Sequence, residues 1–246
     1  MNADDAAEGR ADSSRLYEGL TDVEQALPRF ARWMYLTSRG HLGHSVLDAG
    51  AGIGTHTELL LRDGHEVVAI EADPAFVQRI RERFPDSEAL KIFEGDLAAA
   101  DGLGDFLPLD SAICLNVIEH IVDDVQALKN IGQKVRPGGR LVALVPAHPW
   151  LYNNLDRAIG HHRRYTRREF QEKLEVSGWT VERIFYFNLL AIAGWFVSGS
   201  LLRRTSPGRD LSRLYDFLVP VLSRLERVLV RGAYGLSLIA VCRRRD

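Results

Sequence analysis

The sequence predicts an α/β fold: a seven-stranded, mostly parallel sheet with helices on both faces and an antiparallel last strand. Three observations carry that expectation. From residue 45 to residue 146, apolar runs of strand length alternate with amphipathic runs of helix length, the pattern of a sheet wound by crossover helices. The stretch Val46-Leu47-Asp48-Ala49-Gly50-Ala51-Gly52-Ile53-Gly54-Thr55 joins an apolar strand end to a helix start through alternate glycines, a turn that a Cβ would obstruct. An acid, Glu71, closes the next apolar run about 20 residues on, where a nucleotide-like ligand finds its carboxylate.

Taken in order, residues 1–14 are acidic and read as a solvated tail. Residues 15–246 read as one domain, which opens with a helical cap over 15–40. There Leu16, Leu20, Val23, Leu27, Phe30, Trp33, Met34 and Leu36 recur at helical spacing, with a break near Pro28. Tyr17, Trp33 and Tyr35 in this cap either face a ligand or simply pack. The core over 45–146 places strands at 45–49, 66–70, 89–93, 111–117 and 139–146, with helices at 54–62, 74–84 and 123–134. Asp73-Pro74 is a helix entry, Asp as cap and Pro in the first turn.

A polar, aromatic, histidine-rich loop follows over 147–168, beyond a strand end on the ligand side of the sheet. Thr166 with Glu169 forms a capping box, so a helix runs from there to about Val176. A sixth strand spans Thr180–Phe187 and a closing strand Gly235–Arg243. Between them, residues 188–233 are too long for a hairpin and read as a helical lid. Its first helix, Leu189–Leu202, is apolar. Its second, 210–231, has Leu211, Leu214, Leu218, Val221, Leu222, Leu225 and Leu229 on one face and arginines on the other.

Composition narrows the function. The chain has 246 residues, 46% apolar and 26% charged, enough for one substantial core. Cys114 and Cys242 form no metal-type cluster and suit a reducing cytoplasm. The acidic start lacks the basic, apolar pattern of a signal peptide, so a cytoplasmic location is expected. A formal net charge of −2 does not fit a dedicated nucleic-acid binder. Charge is nonetheless uneven: ten arginines stand against four acids from Arg203 to Asp246. That basic end marks an anionic acceptor or lipid surface, or merely solvates helix faces. Ile184–Leu202 is 19 residues without a charge, the length of a membrane span. Its strand-like first half and its interruptions at Asn188, Gly194 and Ser198-Gly199-Ser200 favour an apolar lid, with peripheral membrane contact as an alternative.

A dinucleotide fingerprint would carry glycine where Thr55 stands. The D-x-G-x-G-x-G run from Asp48 to Gly54 instead resembles the first motif of class I S-adenosylmethionine-dependent methyltransferases. The resemblance continues through Glu94-Gly95-Asp96-Leu97, Asn116-Val117-Ile118-Glu119-His120 and Leu128 to Pro146, with Arg136-Pro137-Gly138-Gly139 before a strand. Four motifs in order span about 100 residues. The resemblance implies a Rossmann-like fold and S-adenosylmethionine as cofactor, with S-adenosylhomocysteine as product. It places Asp48, Ala49, Gly50, Gly52 and Gly54 along the methionine and the cofactor body, and Glu71 with Ala72 on the ribose. It puts Asp96 and Leu97 on the adenine, and Asn116-Val117 at the fourth strand end.

Methyl transfer is an in-line displacement, and an oxygen acceptor must also lose a proton. The candidate bases are His148, His161 and His120. Tyr152, His162, Arg163, Arg164, Tyr165 and Trp33 are candidate acceptor contacts, although Arg163, Arg164 and Tyr165 serve equally as staples to Asp156 or Glu169. Glu119-His120 and Asp123-Asp124 raise a divalent metal, but Asp123-Asp124 reads as a helix cap and no metal is expected. The expected activity is methylation of a small-molecule acceptor at oxygen. Alternatives are a lipid-linked acceptor at a membrane surface, a nicotinamide-dependent oxidoreductase, and a non-catalytic cofactor-binding scaffold. The oligomeric state is left open.

Overall fold

The computed structural model describes residues 25–99, 103–104, 106–206 and 208–246. Its strands are β1 (Ser45–Ala49), β2 (Glu66–Glu71), β3 (Leu90–Glu94), β4 (Leu109–Leu115), β5 (Val135–Pro146), β6 (Trp179–Phe187) and β7 (Ser237–Arg244). They form one sheet in the order β3-β2-β1-β4-β5-β7-β6. The pairs from β3 through β5 are parallel, and β7 runs antiparallel between β5 and β6. Strands β1, β2, β4, β5 and β7 are buried along most of their length. Covering both faces of a parallel sheet makes such strands read as continuous apolar runs, which is how the sequence showed them.

The helices are α1 (Pro28–Ser38), α2 (Thr55–Arg62), α3 (Pro74–Arg83), α4 (Asp124–Gln133), α5 (Asn154–Ala158), α6 (Arg167–Val176), α7 (Ala191–Trp195) and α8 (Arg209–Leu225). Wider π-helical turns continue α7 over Phe196–Leu201 and α8 over Glu226–Val230. The start signals hold. Asp73 accepts hydrogen bonds from the amides of Ala75 and Phe76, Asp123 from Gln126, and Thr166 from Glu169. Ala31, Met34 and Tyr35 of α1 pack with one face of the sheet; Phe170 and Leu174 of α6 pack with the other.

Two expectations change. The cap residues Leu16, Tyr17, Leu20 and Val23, and the tail, lie outside the described residues. Within them, α1 begins at the expected break, but its aromatics are structural: Tyr35 donates to Asp63 at 2.7 Å, and the Trp33 ring lies 4.3 Å from that of Phe187. The larger correction concerns α8. Leu211, Leu214, Leu218, Val221 and Leu225 face solvent, each at least 40% exposed, while Ser212, Asp216 and Glu226 are buried. The polar face is turned inward because it caps backbone left open elsewhere. Asp216 accepts from the Phe30 amide at 2.9 Å, and Glu226 accepts from the amides of Asn188 and Leu189. The helix is inside out.

Asp124 fastens the far side of the 147–168 loop. Almost fully buried, it accepts from the Tyr165 hydroxyl at 2.8 Å, Arg163 at 2.9 Å and Lys173 at 2.8 Å. Burial raises its carboxyl pKa, but the hydrogen bonds and charges of Lys173, Tyr165 and Arg163 outweigh it and hold the group below the usual carboxylate range. A depressed folded-state pKa gives stability that is present above the unfolded value and lost as pH falls through the folded one. Asp124→Ala therefore costs about 3 kcal/mol at neutral pH in a urea titration, and the difference from wild type narrows as the titration is repeated at increasingly acid pH.

Candidate active site

The carboxyl ends of β3, β2, β1 and β4 lie side by side and carry one motif each. After β1, the chain turns through left-handed backbone at Gly50, Gly52 and Gly54, with φ of 78°, 57° and 82°. A Cβ at Gly50 would meet both methyls of Val117 at 2.6 Å, so only glycine lets the β1 turn approach the turn after β4. The Gly50 and Ala51 amides donate to the Ile70 carbonyl of β2. Glu71, at the end of β2, accepts from the Gly52 amide at 2.8 Å and the Asp73 amide at 2.9 Å. Burial pushes its carboxyl pKa up, against these hydrogen bonds. Asp48 is buried and accepts from the Thr57 hydroxyl at 2.7 Å, with Ala49 buried beside it. Asp96 is exposed beyond β3 and caps the Ala98 amide, next to buried Leu97. Asn116, exposed after β4, holds a left-handed φ of 56°, and its side-chain amide lies 3.7 Å from Met34 Sδ of α1. Glycine backbone with acids at successive strand ends is a cradle for an elongated nucleoside ligand.

Beyond β4 the chain enters a second cluster. Glu119 is fully buried, and among the described residues neither of its carboxylate oxygens accepts a hydrogen bond. Burial pushes its carboxyl up to about 7. The nearest basic atom is His161 Nε2, 3.6 Å away. His161 is in turn aligned by Asp156, whose Oδ1 lies 2.9 Å from Nδ1. The His120 ring lies edge-on to that of His161 at 4.7 Å, and the backbone of Gly160 hydrogen-bonds it. Burial, then the neighbouring His161, lowers His120 to about 3. Donor atoms of Glu119, His120 and His161 all lie within 4.8 Å of one another.

Comparison with known proteins agrees with this architecture. The methyltransferase-domain family matches residues 47–141, from β1 through the start of the buried part of β5. The "probable S-adenosylmethionine-dependent methyltransferase" of Mycolicibacterium smegmatis is 30% identical over 147 residues, covering 57% of this chain and 53% of that protein. Over this stretch the chain is similar to S-adenosylmethionine-dependent methyltransferases. Glycine N-methyltransferase of Rattus norvegicus is 31% identical over 149 residues, covering 52% of this chain and 48% of that one. The chain thus spans about half the length of these two relatives. Among solved structures, the 1,6-didemethyltoxoflavin-N1-methyltransferase of Burkholderia thailandensis, with S-adenosylhomocysteine bound, aligns over 100% of this chain and 92% of its own. Its TM-score is 0.58 at 20% identity. An S-adenosylmethionine-dependent methyltransferase from Mesorhizobium loti aligns with TM-score 0.58 at 16% identity, over 85% of this chain and 96% of its own. At such identities these likenesses speak for the Rossmann-like fold.

Within that family frame, the expected acceptor residues divide. His161 joins the cluster beside the β4 end. His148 does not: its Nε2 lies 3.0 Å from the Gly235 carbonyl, and its ring stacks on Tyr186 at 5.2 Å. A left-handed φ of 64° turns the chain there, although a residue before proline is ordinarily extended. Arg163 and Tyr165 are staples on Asp124. Arg164 is a staple on Asp156 at 2.8 Å and on the Ala147 carbonyl at 3.0 Å. Tyr152 donates to the His161 carbonyl at 2.8 Å and props the loop, and His162 is exposed. Trp33 packs against Phe187 and Phe30.

Sequence reasoning missed the groups that organise this cluster. Asp156 is fully buried and receives four donors: the Asn153 amide, His161, Arg164 and Trp195 Nε1 of α7. Burial raises its carboxyl pKa, but His161 and Arg164 outweigh that and hold it below the usual range. Glu119 stood inside a recognised motif and was weighed only with His120 as a metal ligand. His56, beside the glycine turn, has a buried Nε2 with no partner among the described residues, and burial lowers it to about 4. Asp156→Ala leaves Arg164 buried and unpaired, so it costs about 3–5 kcal/mol in chemical denaturation. Asp156→Asn, which keeps the shape, is expected to cost less.

Proposed function

We propose that this chain transfers the methyl group of S-adenosylmethionine to an oxygen of a small acceptor presented at a lipid surface. The observation that carries the transfer reading is the order of the strand ends. Asp96, Glu71, the glycine turn and Asn116 follow one another across β3, β2, β1 and β4, and the line ends beside Glu119 and His161. With the adenine held at Asp96 and the ribose at Glu71, the methionine end lies toward Asp48, Asn116 and Val117. The sulfonium supplies a methyl already activated for displacement. The protein's part is then to align the acceptor and exclude water.

The relatives above include enzymes named for transfer to nitrogen, and oxygen is favoured here by the acceptor-side residues. A hydroxyl must lose its proton as it is methylated, and a buried, unpartnered carboxylate facing an aligned imidazole suits that requirement. Of the three expected bases, His161 is the one with this geometry. The nicotinamide reading finds no support: the turn closes on Thr55, which opens α2, where that fingerprint carries glycine.

The lipid surface is supported by the lid. On α7, α8 and their continuations, Phe196, Val197, Leu201, Leu202, Phe217 and Val228 are exposed alongside the residues already named. Seven arginines accompany them over 188–233, against three acids of which Asp216 and Glu226 are buried. Exposed apolar surface rimmed by arginine fits the interface of an anionic bilayer. No helix among the described residues is long and apolar enough to cross a membrane.

Two arms test the proposal. In flotation, the chain is expected to bind phosphatidylglycerol vesicles and not pure phosphatidylcholine, and Leu214→Glu/Phe217→Glu to weaken binding at least roughly tenfold. With methyl-labelled S-adenosylmethionine and a bacterial lipid extract, label is expected in the solvent-extractable fraction, in a product stable as an ether or ester. Label passing only to a water-soluble product, without vesicle binding, would refute the lipid part. Transfer to neither fraction, or to nitrogen, would refute the reaction.

A further inference from the structure

The cluster after β4 has a feature that acceptor binding alone leaves without a physical account. Glu119 is fully buried, yet neither oxygen is hydrogen-bonded among the described residues. A buried carboxylate with no hydrogen bond is costly even beside the charges of His161 and Arg164, and a bound cation would relieve that cost. The nearby guanidinium acts on it through its charge but gives it no hydrogen bond. Arg164 is committed to Asp156 and the Ala147 carbonyl, with its plane over the Trp195 ring at 4.8 Å.

We propose that Glu119, His120 and His161 form a binding site for a divalent transition-metal cation, with zinc the best match. The donor set is two imidazoles and one carboxylate, a three-ligand arrangement that leaves a fourth position open. His161 Nε2 and Glu119 Oε1 are 3.6 Å apart. Two ligands on a tetrahedral centre at about 2.1 Å are separated by roughly 3.4 Å, so this edge is already close to size. The remaining donor atoms, all within 4.8 Å, need modest contraction.

The outer contacts are those that metal-bound histidines require. A ligating imidazole presents one nitrogen to the metal while its other N–H is held by a carboxylate or a backbone carbonyl. Asp156 holds Nδ1 of His161, and the backbone of Gly160 hydrogen-bonds the His120 ring. Spacing in the chain set Glu119-His120 beside Asp123-Asp124, but those two acids cap and brace α4 instead. The third ligand lies about 40 positions away on the acceptor loop. A cation there would take the acceptor hydroxyl at its open position and lower its pKa, so that with metal bound His161 and Glu119 act as ligands and the hydroxyl's proton passes to water. Metal binding itself does not rest on the proposed reaction.

The test is calorimetric titration of zinc chloride into the full chain after chelator treatment. One zinc per chain is expected, with Glu119→Gln weakening it at least tenfold and His162→Ala, an exposed neighbouring imidazole, leaving it unchanged. Melting supplies a second readout. Zinc should raise the melting temperature of wild type and not of Glu119→Gln, whereas in chelator the neutral glutamine should melt no lower than wild type. S-adenosylhomocysteine titration of Glu119→Gln, expected to match wild type, shows that its cofactor side is folded. No saturable zinc binding to wild type would overturn the site. So would undiminished binding in Glu119→Gln, or equal losses in Glu119→Gln and His162→Ala.

Discussion

The polar loop after β5 depends on one buried carboxylate. Asp156 gathers the Asn153 amide, His161, Arg164 and Trp195 around itself. Those four groups come from the start of α5, the loop after it and the lid. A loop of this polarity has few apolar side chains to fix it, so a fully satisfied polar hub takes the place of a core. Because Asp156 takes Nδ1 of His161, it turns Nε2 toward Glu119. The orientation of that imidazole and the anchorage of α7 are therefore one interaction. The lid is further seated where Gly199 packs against Asn153, a contact too close for any side chain.

The cofactor side rests on a different constraint, the parallel register of β3, β2, β1 and β4. Pairings such as Ala49 with Ile70 and Glu71 with Glu94 bring the strands to an end together, so their terminal residues form a row. Left-handed backbone at the glycines and at Asn116 then lets the chain leave the sheet without placing side chains in the cradle. The lid shows the opposite economy. Its leucines are left in solvent while its acids cap open amides, a choice that sacrifices burial on the chain's own account and is coherent for a surface that meets another phase.

Much of this was legible in the sequence. Strand and helix positions follow from local periodicity and the glycine turn with Glu71 from spacing, so most survived within a few residues, though β5 begins at Val135 rather than 139 and α5 lies in the expected loop. What failed did so for tertiary reasons. The apolar stripe of α8 was plain, but periodicity gives a stripe and not its partner, and hydrogen bonds to Phe30, Asn188 and Leu189 decided which face turned in. His148 looked like an acceptor residue by position, and a left-handed turn sent it into an aromatic stack. The importance of Glu119 and Asp156 lies in burial and in partners 39 to 42 positions distant in chain, which no local pattern encodes.

The central claim, that the row of strand ends binds S-adenosylmethionine through Glu71 and the glycine turn, is most directly tested by calorimetric titration with S-adenosylhomocysteine. NAD⁺ serves as the control ligand, and wild type is compared with Glu71→Ala. The account predicts roughly micromolar binding of S-adenosylhomocysteine to wild type, weakened at least tenfold, or about 1.4 kcal/mol, by the substitution. Binding of NAD⁺ in its place, or an affinity indifferent to Glu71, would contradict it.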